Sequence, residues 1–373
     1  MFSILTLNKI AACGTDRFSA DYTYGAEIEN PTAIMVRSAS MHDMELSADT
    51  LAIARAGAGT NNIPVEACAE KGVVVFNTPG ANANAVKELV ICGLFMASRK
   101  VAAAVDWCKT LKGEGENVGK LVEKGKSNFA GPEIGGKTLG VVGMGAIGFK
   151  VAQAAEALGM KIVGFDPYLS DAVKAQLSNE TEIVDDINDL FKKSDYITLH
   201  LPLLDSTKNT INKDTLALCK DGVRILNFAR GGLVNSDAMI EALGTGKCAA
   251  YVVDFPSDEM IGVDGVTAIP HLGASTPESE DNCAVMAADQ LMLYIEKGEI
   301  KNSVNLPNLT GLGEKDGKRV CVICKECAVD AVKAALGENA KSAAKKGYGY
   351  VVCDGADEAK LDGIDGIIKI RVI

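Results

Sequence analysis

Residues Thr138–Asp166 read TLGVVGMGAIGFKVAQAAEALGMKIVGFD. An apolar run leads directly into Gly143, Gly145 and Gly148, and an amphipathic segment follows, which predicts a strand, a glycine turn and a helix. The first glycine permits the tight turn, the second lets the backbone approach a pyrophosphate, and the third allows close packing of helix on strand. The N–H groups at the helix start favour an anion. The stretch therefore predicts a dinucleotide-binding βαβ unit.

The next apolar run ends at Asp166. A carboxylate at this position can accept hydrogen bonds from the hydroxyls of the adenosine ribose, and it would repel a 2′-phosphate. The sequence therefore predicts NAD rather than NADP as the cofactor.

Apolar runs alternate with amphipathic segments on both sides of this unit, which is the pattern of parallel sheets with crossover helices. Four apolar runs precede the βαβ unit. The two runs of the unit and the four that follow it are expected to form one doubly wound domain. The predicted strands are Ile4–Leu7, Ala33–Val36, Leu51–Ala54, Val73–Phe76, Thr138–Val142, Lys161–Phe165, Tyr196–Leu201, Val223–Phe228, Tyr251–Phe255 and Val266–Ile269.

A small unit follows a linker at residues 307–318 that is rich in Gly, Pro, Asn and Lys. Its order of strand, helix, strand, short helix and strand resembles an abbreviated ferredoxin-like module. Its predicted elements are Arg319–Ile323, Ala328–Leu336, Gly349–Val352, Asp357–Leu361 and Gly366–Val372.

The composition excludes several classes of protein. Hydrophobic residues make up 47% and charged residues 23% of the chain, which suits a globular protein with sizeable cores. A net charge of −11 disfavours nucleic acid and anionic membranes as partners. No apolar run is long enough to span a bilayer, and the N-terminus lacks the pattern of a signal peptide.

The eleven cysteines are expected to be reduced thiols in the cytoplasm. Cys324 and Cys327 form an isolated CxxC, which predicts no metal site.

Polar residues follow the predicted strands at the carboxyl edge of the sheet, where open α/β sheets bind ligands. Reduction of a 2-oxo acid needs a cation for the carboxylate, an acid for the carbonyl oxygen, and a group that keeps this acid charged. Arg230 offers a bidentate guanidinium, and His271 offers an ordinary pKa near 6.5. Glu259 or Asp258 could support the imidazolium form.

Several motifs resemble the D-isomer-specific 2-hydroxyacid dehydrogenase family. They are GMGAIG, LHLPLLDSTKNTIN, ILNFARGGLVN, VVDFPSDE and IPHLGAST, together with MVRSAS, ARAGAGTNNI and VFNTPGANANAVKEL nearer the N-terminus. The resemblance covers about residues 1–306. It is closest to members that oxidise 3-phosphoglycerate to 3-phosphohydroxypyruvate at the start of serine biosynthesis.

The resemblance implies roles for individual residues. The catalytic arginine, glutamate and histidine of the family correspond to Arg230, Glu259 and His271. The implied cofactor-binding residues are Gly143, Gly145, Ala146, Ile147, Gly148, Asp166, Pro202, Phe228, Ala229, Arg230, Asp254, His271, Gly273 and Ala274. The implied substrate-binding residues are Arg37, Ser38, Ala58, Gly59, Asn82, Arg230 and His271.

The resemblance also implies an architecture. A Rossmann-type NAD-binding domain (residues 87–275) is inserted in a flavodoxin-like substrate domain (1–86 and 276–306), with the active site in the cleft. Long helices at Ala83–Ala103 and Glu278–Glu296 link the two. Trp107–Glu133 is expected to embrace a partner in a homodimer.

The C-terminal residues 319–373 resemble the ACT domain that binds serine as an inhibitor in some relatives. The effector loop of that domain, His-x-Asn-x-Pro-Gly, corresponds to Cys324–Val329 here, and its polar ligands and glycine are missing. Weak or absent inhibition by serine is therefore expected.

Two other functions remain open on these residues. The substrate could be another small 2-hydroxy acid, as in glyoxylate/hydroxypyruvate reductases or D-lactate-type enzymes, because no catalytic residue separates these activities. Alternatively the chain could be a non-enzymatic protein that senses NAD, as the transcriptional corepressors of the family are.

Overall fold

The structure is a computed structural model that describes all 373 residues, Met1–Ile373, and it divides into two compact units. The first unit contains Met1–Asn82 and Thr276–Ile373, and the second contains Ala83–Ser275. The boundary expected after residue 86 falls inside a continuous helix, and the division lies in front of that helix instead. The C-terminal residues 319–373, expected as a domain of their own, group with the first unit.

The N-terminal segment forms a parallel five-stranded sheet in the order β2-β1-β3-β4-β5. This is the strand order of flavodoxin-like doubly wound sheets. The sequence did not predict β2, an edge strand with two exposed residues and a weak apolar signal. The elements are β1 (Phe2–Leu7), α1 (Ala12–Thr15), β2 (Tyr22–Gly25), β3 (Ala33–Val36), β4 (Ala52–Arg55), α2 (Val65–Glu70) and β5 (Val74–Phe76).

The middle segment begins with two helices where the sequence predicts one over Ala83–Ala103. Helix α3 (Ala83–Arg99) ends because Lys100 takes a left-handed conformation, with φ of 45°, and α4 (Val101–Lys109) starts after it. Helix α5 (Val118–Gly125) follows in the segment expected to contact a partner.

A parallel seven-stranded sheet forms the core of this unit, in the order β12-β11-β10-β9-β6-β7-β8. The order reverses between β6 and β9, which is the topological switch of a doubly wound fold and the place where such sheets bind ligands. The strands and helices are β6 (Thr138–Val142), α6 (Ala146–Ala157), β7 (Lys161–Phe165), α7 (Asp171–Lys174), β8 (Glu182–Ile183), α8 (Ile187–Lys193), β9 (Tyr196–Leu199), α9 (Lys213–Leu218), β10 (Val223–Asn227), α10 (Ser236–Gly244), β11 (Cys248–Val253) and β12 (Val266–Ala268).

The C-terminal segment starts with α11 (Pro277–Lys297), which has clear end signals. Thr276 caps its first turn by accepting a hydrogen bond from Ser279, a proline occupies the first helical position, and Gly298 ends it in the left-handed region.

A four-stranded antiparallel sheet follows, in the order β14-β15-β13-β16. The sequence did not predict β14, whose KSAAK has only alanines as apolar residues and lies at the sheet edge. A 3₁₀ turn at Glu358–Leu361 stands where the sequence predicts a short helix at Asp357–Leu361. The elements are β13 (Arg319–Lys325), α12 (Val329–Leu336), β14 (Lys341–Lys345), β15 (Tyr348–Asp354) and β16 (Ile367–Val372).

Helix α11 and the C-terminal sheet share one hydrophobic core with the five-stranded sheet. Two arginines add polar contacts to the end of α11. The guanidinium of Arg319, 1% exposed, donates to the Lys297 carbonyl and pairs with Asp354. The guanidinium of Arg371 donates to the carbonyls of Tyr294 and Ile295. Residues 319–373 are thus packed into the first unit rather than tethered to it.

No helix in the structure has both the length and the apolar character that a bilayer span requires.

Candidate active site

The glycine turn lies where the sequence predicts it, between β6 and α6. Gly143 has φ of +91°, and a Cβ there would lie 2.7 Å from the carbonyl oxygen of His200. A Cβ on Gly148 would lie 1.9 Å from the carbonyl oxygen of Gly143. Both positions therefore require glycine for the turn itself.

Gly145 differs from these two glycines. Nothing lies within 4 Å of the position that its Cβ would take, and its φ of −68° is ordinary for any residue. It is the N-cap of α6, and no side chain caps this helix. The first N–H groups of a helix have no partner within the helix, so open space here faces donors suited to an anion. This arrangement fits the pyrophosphate of a dinucleotide.

The Asp166 carboxylate follows β7 and points at the glycine turn. One of its oxygens accepts a hydrogen bond from the Met144 N–H and the other from the Tyr168 N–H, both at 2.9 Å. Each carboxylate oxygen keeps a further lone pair. Asp166 is therefore held beside the turn while it can still accept hydrogen bonds from a ligand.

The ends of β9, β10, β11 and β12 lie at one edge of the sheet, because these strands are parallel to one another or to β6. This edge carries the candidates from four loops, as the sequence predicts. They are His200 and Pro202 after β9, Phe228, Ala229 and Arg230 after β10, Asp254 after β11, and His271, Gly273 and Ala274 after β12.

The Phe228 side chain takes no direct part in this edge. It is 5% exposed, and its ring packs where a Cβ on Gly93 of α3 would otherwise lie, at 2.7 Å. Only the backbone of Phe228 remains for contact with a ligand.

Asp254 is a buried carboxylate without a hydrogen-bond partner for either oxygen, and it is 1% exposed. Burial raises its pKa to about 6, while the nearby charge of Arg230 acts in the opposite direction. An orphaned buried group of this kind is rare in a folded protein and indicates a missing partner. Donors from a bound ligand would satisfy it.

Arg230 and His271 contact the same aromatic ring, that of Phe255. The Cζ of Arg230 lies 5.4 Å from the ring centroid, and the His271 ring centroid lies 4.2 Å from it at an interplanar angle of 40°. The Asn227 amide donates to the Arg230 carbonyl at 2.9 Å, and Arg230 itself donates to the Ala229 carbonyl at 2.7 Å. The sequence did not single out Phe255, because no local pattern shows which side chains an aromatic ring will touch.

Glu259 is exposed on a 3₁₀ turn, Asp258–Met260. Its own backbone N–H and the hydroxyls of Ser257 and Ser236 lower the pKa of the carboxyl group. The carboxylate therefore stays ionised. Its expected support of His271 stays a prediction.

His200 cannot replace His271 as a proton donor or acceptor near neutral pH. Burial lowers its pKa to about 3, and its ring nitrogen contacts the Thr198 hydroxyl at 3.0 Å. His271 is exposed at the same edge.

The first unit presents two arginines at the ends of neighbouring strands. Arg37 follows β3 and forms a salt bridge with Glu280, while Arg55 ends β4 and donates to the Arg37 carbonyl at 3.1 Å. Gly57 leaves room for the Arg55 guanidinium, since a Cβ there would lie 1.3 Å from its Nη1. The sequence predicted Arg37, and not Arg55, as a substrate-binding residue. The adjacency of their two strands could have indicated both.

The other substrate-binding candidates differ in whether their polar groups are already hydrogen-bonded within the chain. The Asn8 side chain accepts the Ser38 N–H, and the Asn77 side chain donates to the Ala58 carbonyl at 2.7 Å. The Asn82 side-chain oxygen is buried without a partner, which leaves it able to accept a hydrogen bond from a ligand.

Residues 91–273 match the family model described as D-isomer specific 2-hydroxyacid dehydrogenase, NAD binding domain. The curated D-3-phosphoglycerate dehydrogenase of Methanocaldococcus jannaschii is 38% identical over 301 residues, which are 78% of this chain and 55% of that protein. The hydroxypyruvate reductase of Thermotoga maritima is 40% identical over 248 residues, which are 64% of this chain and 76% of that protein. The chain spans about half the length of the phosphoglycerate dehydrogenases that it matches.

Two solved structures are similar in fold and sequence. A glyoxylate reductase from Paecilomyes thermophila has a TM-score of 0.67 and 26% identity, over 81% of this chain and 98% of that one. An NAD⁺-bound 3-phosphoglycerate dehydrogenase from Entamoeba histolytica has a TM-score of 0.63 and 26% identity, over 82% and 98%.

Proposed function

Because the chain belongs to the D-isomer specific 2-hydroxyacid dehydrogenase family, we propose that it oxidises 3-phosphoglycerate to 3-phosphohydroxypyruvate with NAD, the first step of serine biosynthesis. The observation that best supports this reaction is that the Arg230 guanidinium and the His271 imidazole contact the same ring, that of Phe255. All three lie at the carboxyl edge of the sheet that also carries the glycine turn. Formation of NADH from 3-phosphoglycerate, followed by its absorbance, tests the proposal directly.

We assign each residue at this edge a separate role in the reaction. Bound NAD supplies the hydride acceptor. Arg230 binds the substrate carboxylate through its two-pronged guanidinium and polarises the C2 oxygen. An imidazole nitrogen of His271 takes the proton of the C2 hydroxyl during oxidation and returns it during reduction. Glu259 keeps the imidazolium oriented and stabilises its charge.

The cofactor would be held by the groups that the structure leaves open. The space at Gly145 and the start of α6 suits the pyrophosphate, with Ala146 and Ile147 in the first turn. Asp166 would accept hydrogen bonds from the ribose hydroxyls and would repel a 2′-phosphate. Asp254, whose two buried oxygens lack a partner, would accept hydrogen bonds from the bound cofactor.

The paired arginines of the first unit support a phosphorylated substrate. Phosphate carries more charge than the single carboxylate of lactate or glyoxylate, and guanidinium groups match its geometry. Arg37 and Arg55 lie close together because β3 and β4 are adjacent strands. Val36, the residue before Arg37, pairs with Arg55 in the sheet. We assign them to the phosphate of 3-phosphoglycerate.

Replacing Arg37 with glutamine is expected to raise KM for 3-phosphoglycerate by about 10–100-fold, since a charge-assisted hydrogen bond contributes about 1.5–3 kcal/mol. Turnover of D-glycerate, which lacks the phosphate, should change little. Steady-state kinetics with both substrates measure this difference.

Arg17 is a matched control, because it forms a surface salt bridge with Asp289 in the same unit. Arg17→Gln should leave both substrates unaffected. An equal loss for D-glycerate and 3-phosphoglycerate in Arg37→Gln would contradict the assignment to phosphate.

A second candidate substrate is favoured by the 40% identity to a hydroxypyruvate reductase. A panel of 3-phosphoglycerate, D-glycerate, D-lactate and glyoxylate, each with NAD and NADP, separates these activities. A protein that binds NADH but turns over none of them would instead be a non-enzymatic sensor of NAD.

We further propose that residues 319–373 are an ACT-like module without a serine site. The loop Cys324–Val329 is closed by the chain itself, because Glu326 accepts the Gly347 N–H through its side chain, and the Lys325 N–H donates to Gly366. The side chain of Glu326 and the N–H of Lys325 are therefore already bonded within the chain, and the loop has no histidine or asparagine for an effector.

Millimolar serine is accordingly expected to leave the initial rate unchanged. A rate that falls with serine dose would contradict this expectation. Deletion of residues 319–373 is a poor control, since it would expose the shared core around Cys321, Ile323 and Tyr350. Calorimetry of serine with the full chain is the better control, because it measures binding without disturbing this core.

The assembly is proposed to be a cytoplasmic homodimer. Helices α4 and α5 expose Val105, Val118 and Val122 beside a groove also lined by Cys108 and Leu111. Such an apolar face is suited to a partner subunit. All eleven cysteines are free, which a reducing compartment favours. Light scattering measures the mass in solution.

A further inference from the structure

We infer that Phe255 is a positioning residue that holds Arg230 and His271 at the separation the hydride-transfer reaction needs. The inference rests on the proposed function, since it assigns a task to a side chain that touches both proposed catalytic groups.

The contacts that the Phe255 ring makes with both side chains carry the inference. Its ring centroid lies 5.4 Å from the Arg230 Cζ and 4.2 Å from the His271 ring centroid. The three residues come from three different loops, after β10, β11 and β12. One half-buried ring thus contacts both side chains.

The backbone of Phe255 is itself held close to the arginine loop. A Cβ on Gly231 would lie 2.9 Å from the Phe255 carbonyl oxygen and 3.6 Å from the Phe255 Cβ. Asn227 fixes the same loop through the Arg230 carbonyl. The ring therefore projects from a fixed point, and an aromatic side chain has only two χ angles to order.

The Phe255 ring has a direct physical effect on Arg230. Its face attracts the guanidinium, which restrains Arg230 without using any of the N–H groups needed for the substrate. The other charged groups on these loops are Asp254, Asp258, Glu259 and Asp264.

Replacing Phe255 with leucine keeps an apolar side chain but removes the ring. We expect kcat to fall about 10–100-fold, because misplacing a reacting group by about 1 Å has costs of this order. KM for NAD should stay within twofold, since the dinucleotide turn is untouched. Phe255→Tyr keeps the ring and should restore kcat to within threefold of the unchanged protein.

A second measurement is independent of turnover. The chain has three histidines, so the His271 ring-proton resonance can be assigned by comparison with His271→Asn. The resonance should lose its ring-current shift in Phe255→Leu and keep it in Phe255→Tyr. Thermal unfolding of both variants checks that each is folded.

Three outcomes would overturn the inference: kcat of Phe255→Leu within twofold of the unchanged protein, equal impairment of the leucine and tyrosine variants, or an unchanged His271 resonance in the leucine variant. If the unchanged protein turns over no 2-hydroxy acid, the proposed function fails. The ring-current comparison alone then decides whether Phe255 holds His271.

Discussion

Replacement of His271 with alanine is expected to lower kcat for 3-phosphoglycerate oxidation by about 10²–10⁴-fold, the range contributed by general acid–base catalysis. The loss should be this large because no neighbouring histidine can take over: burial lowers the pKa of His200 to about 3. The affinity for NADH, measured by fluorescence titration, should change little, since the glycine turn and Asp166 are untouched.

His42 provides a matched control for this variant. It is an exposed histidine of the first unit whose Nε2 contacts the Asn61 carbonyl, and His42→Ala should leave kcat unchanged. A His271→Ala protein that retains more than about a tenth of the rate, well above that range, would falsify the role of His271. A loss of NADH binding in proportion to the loss of rate would instead place His271 in the cofactor site alone.

Replacement of Gly145 with alanine is expected to weaken NAD binding by about 10–100-fold, which corresponds to the loss of one charge-assisted hydrogen bond of about 1.5–3 kcal/mol. The new methyl group meets no protein atom within 4 Å, so the free energy of unfolding should be nearly unchanged. It enters the space that the pyrophosphate would occupy at the start of α6. Calorimetry with NAD measures the affinity, and thermal unfolding measures the stability.

Two other glycines make this experiment specific. Gly135 also has open space around its Cβ position but lies before β6, so Gly135→Ala should affect neither binding nor stability. In Gly148→Ala the methyl group would lie 1.9 Å from the Gly143 carbonyl oxygen, so stability should fall with binding. NAD affinity that stays unchanged in Gly145→Ala would rule out a pyrophosphate at this helix start.

The elements that the sequence predicted well are those whose residues are buried on both sides. Strands such as β6 and β10 read as short apolar runs because a parallel sheet covered by helices excludes water from both faces. The edge strands β2 and β14 lack this signal, since two residues of each are exposed and none of β14 is fully buried. The break at Lys100 also escaped prediction, because α3 and α4 are equally rich in good helix formers.

The sequence by itself determined where the candidate residues lie relative to the strands. It placed the glycine turn after one strand, Asp166 after the next, and Arg230, Asp254 and His271 after later strands of the same parallel sheet. These follow from local rules, because successive parallel strands must end at the same edge. Only the tertiary structure decided that Phe255 touches both Arg230 and His271, that Arg55 lies beside Arg37, and that Arg319 and Arg371 pack the C-terminal sheet against α11. Such contacts join side chains from distant parts of the chain. They depend on how loops and faces pack, which no local pattern of residues contains.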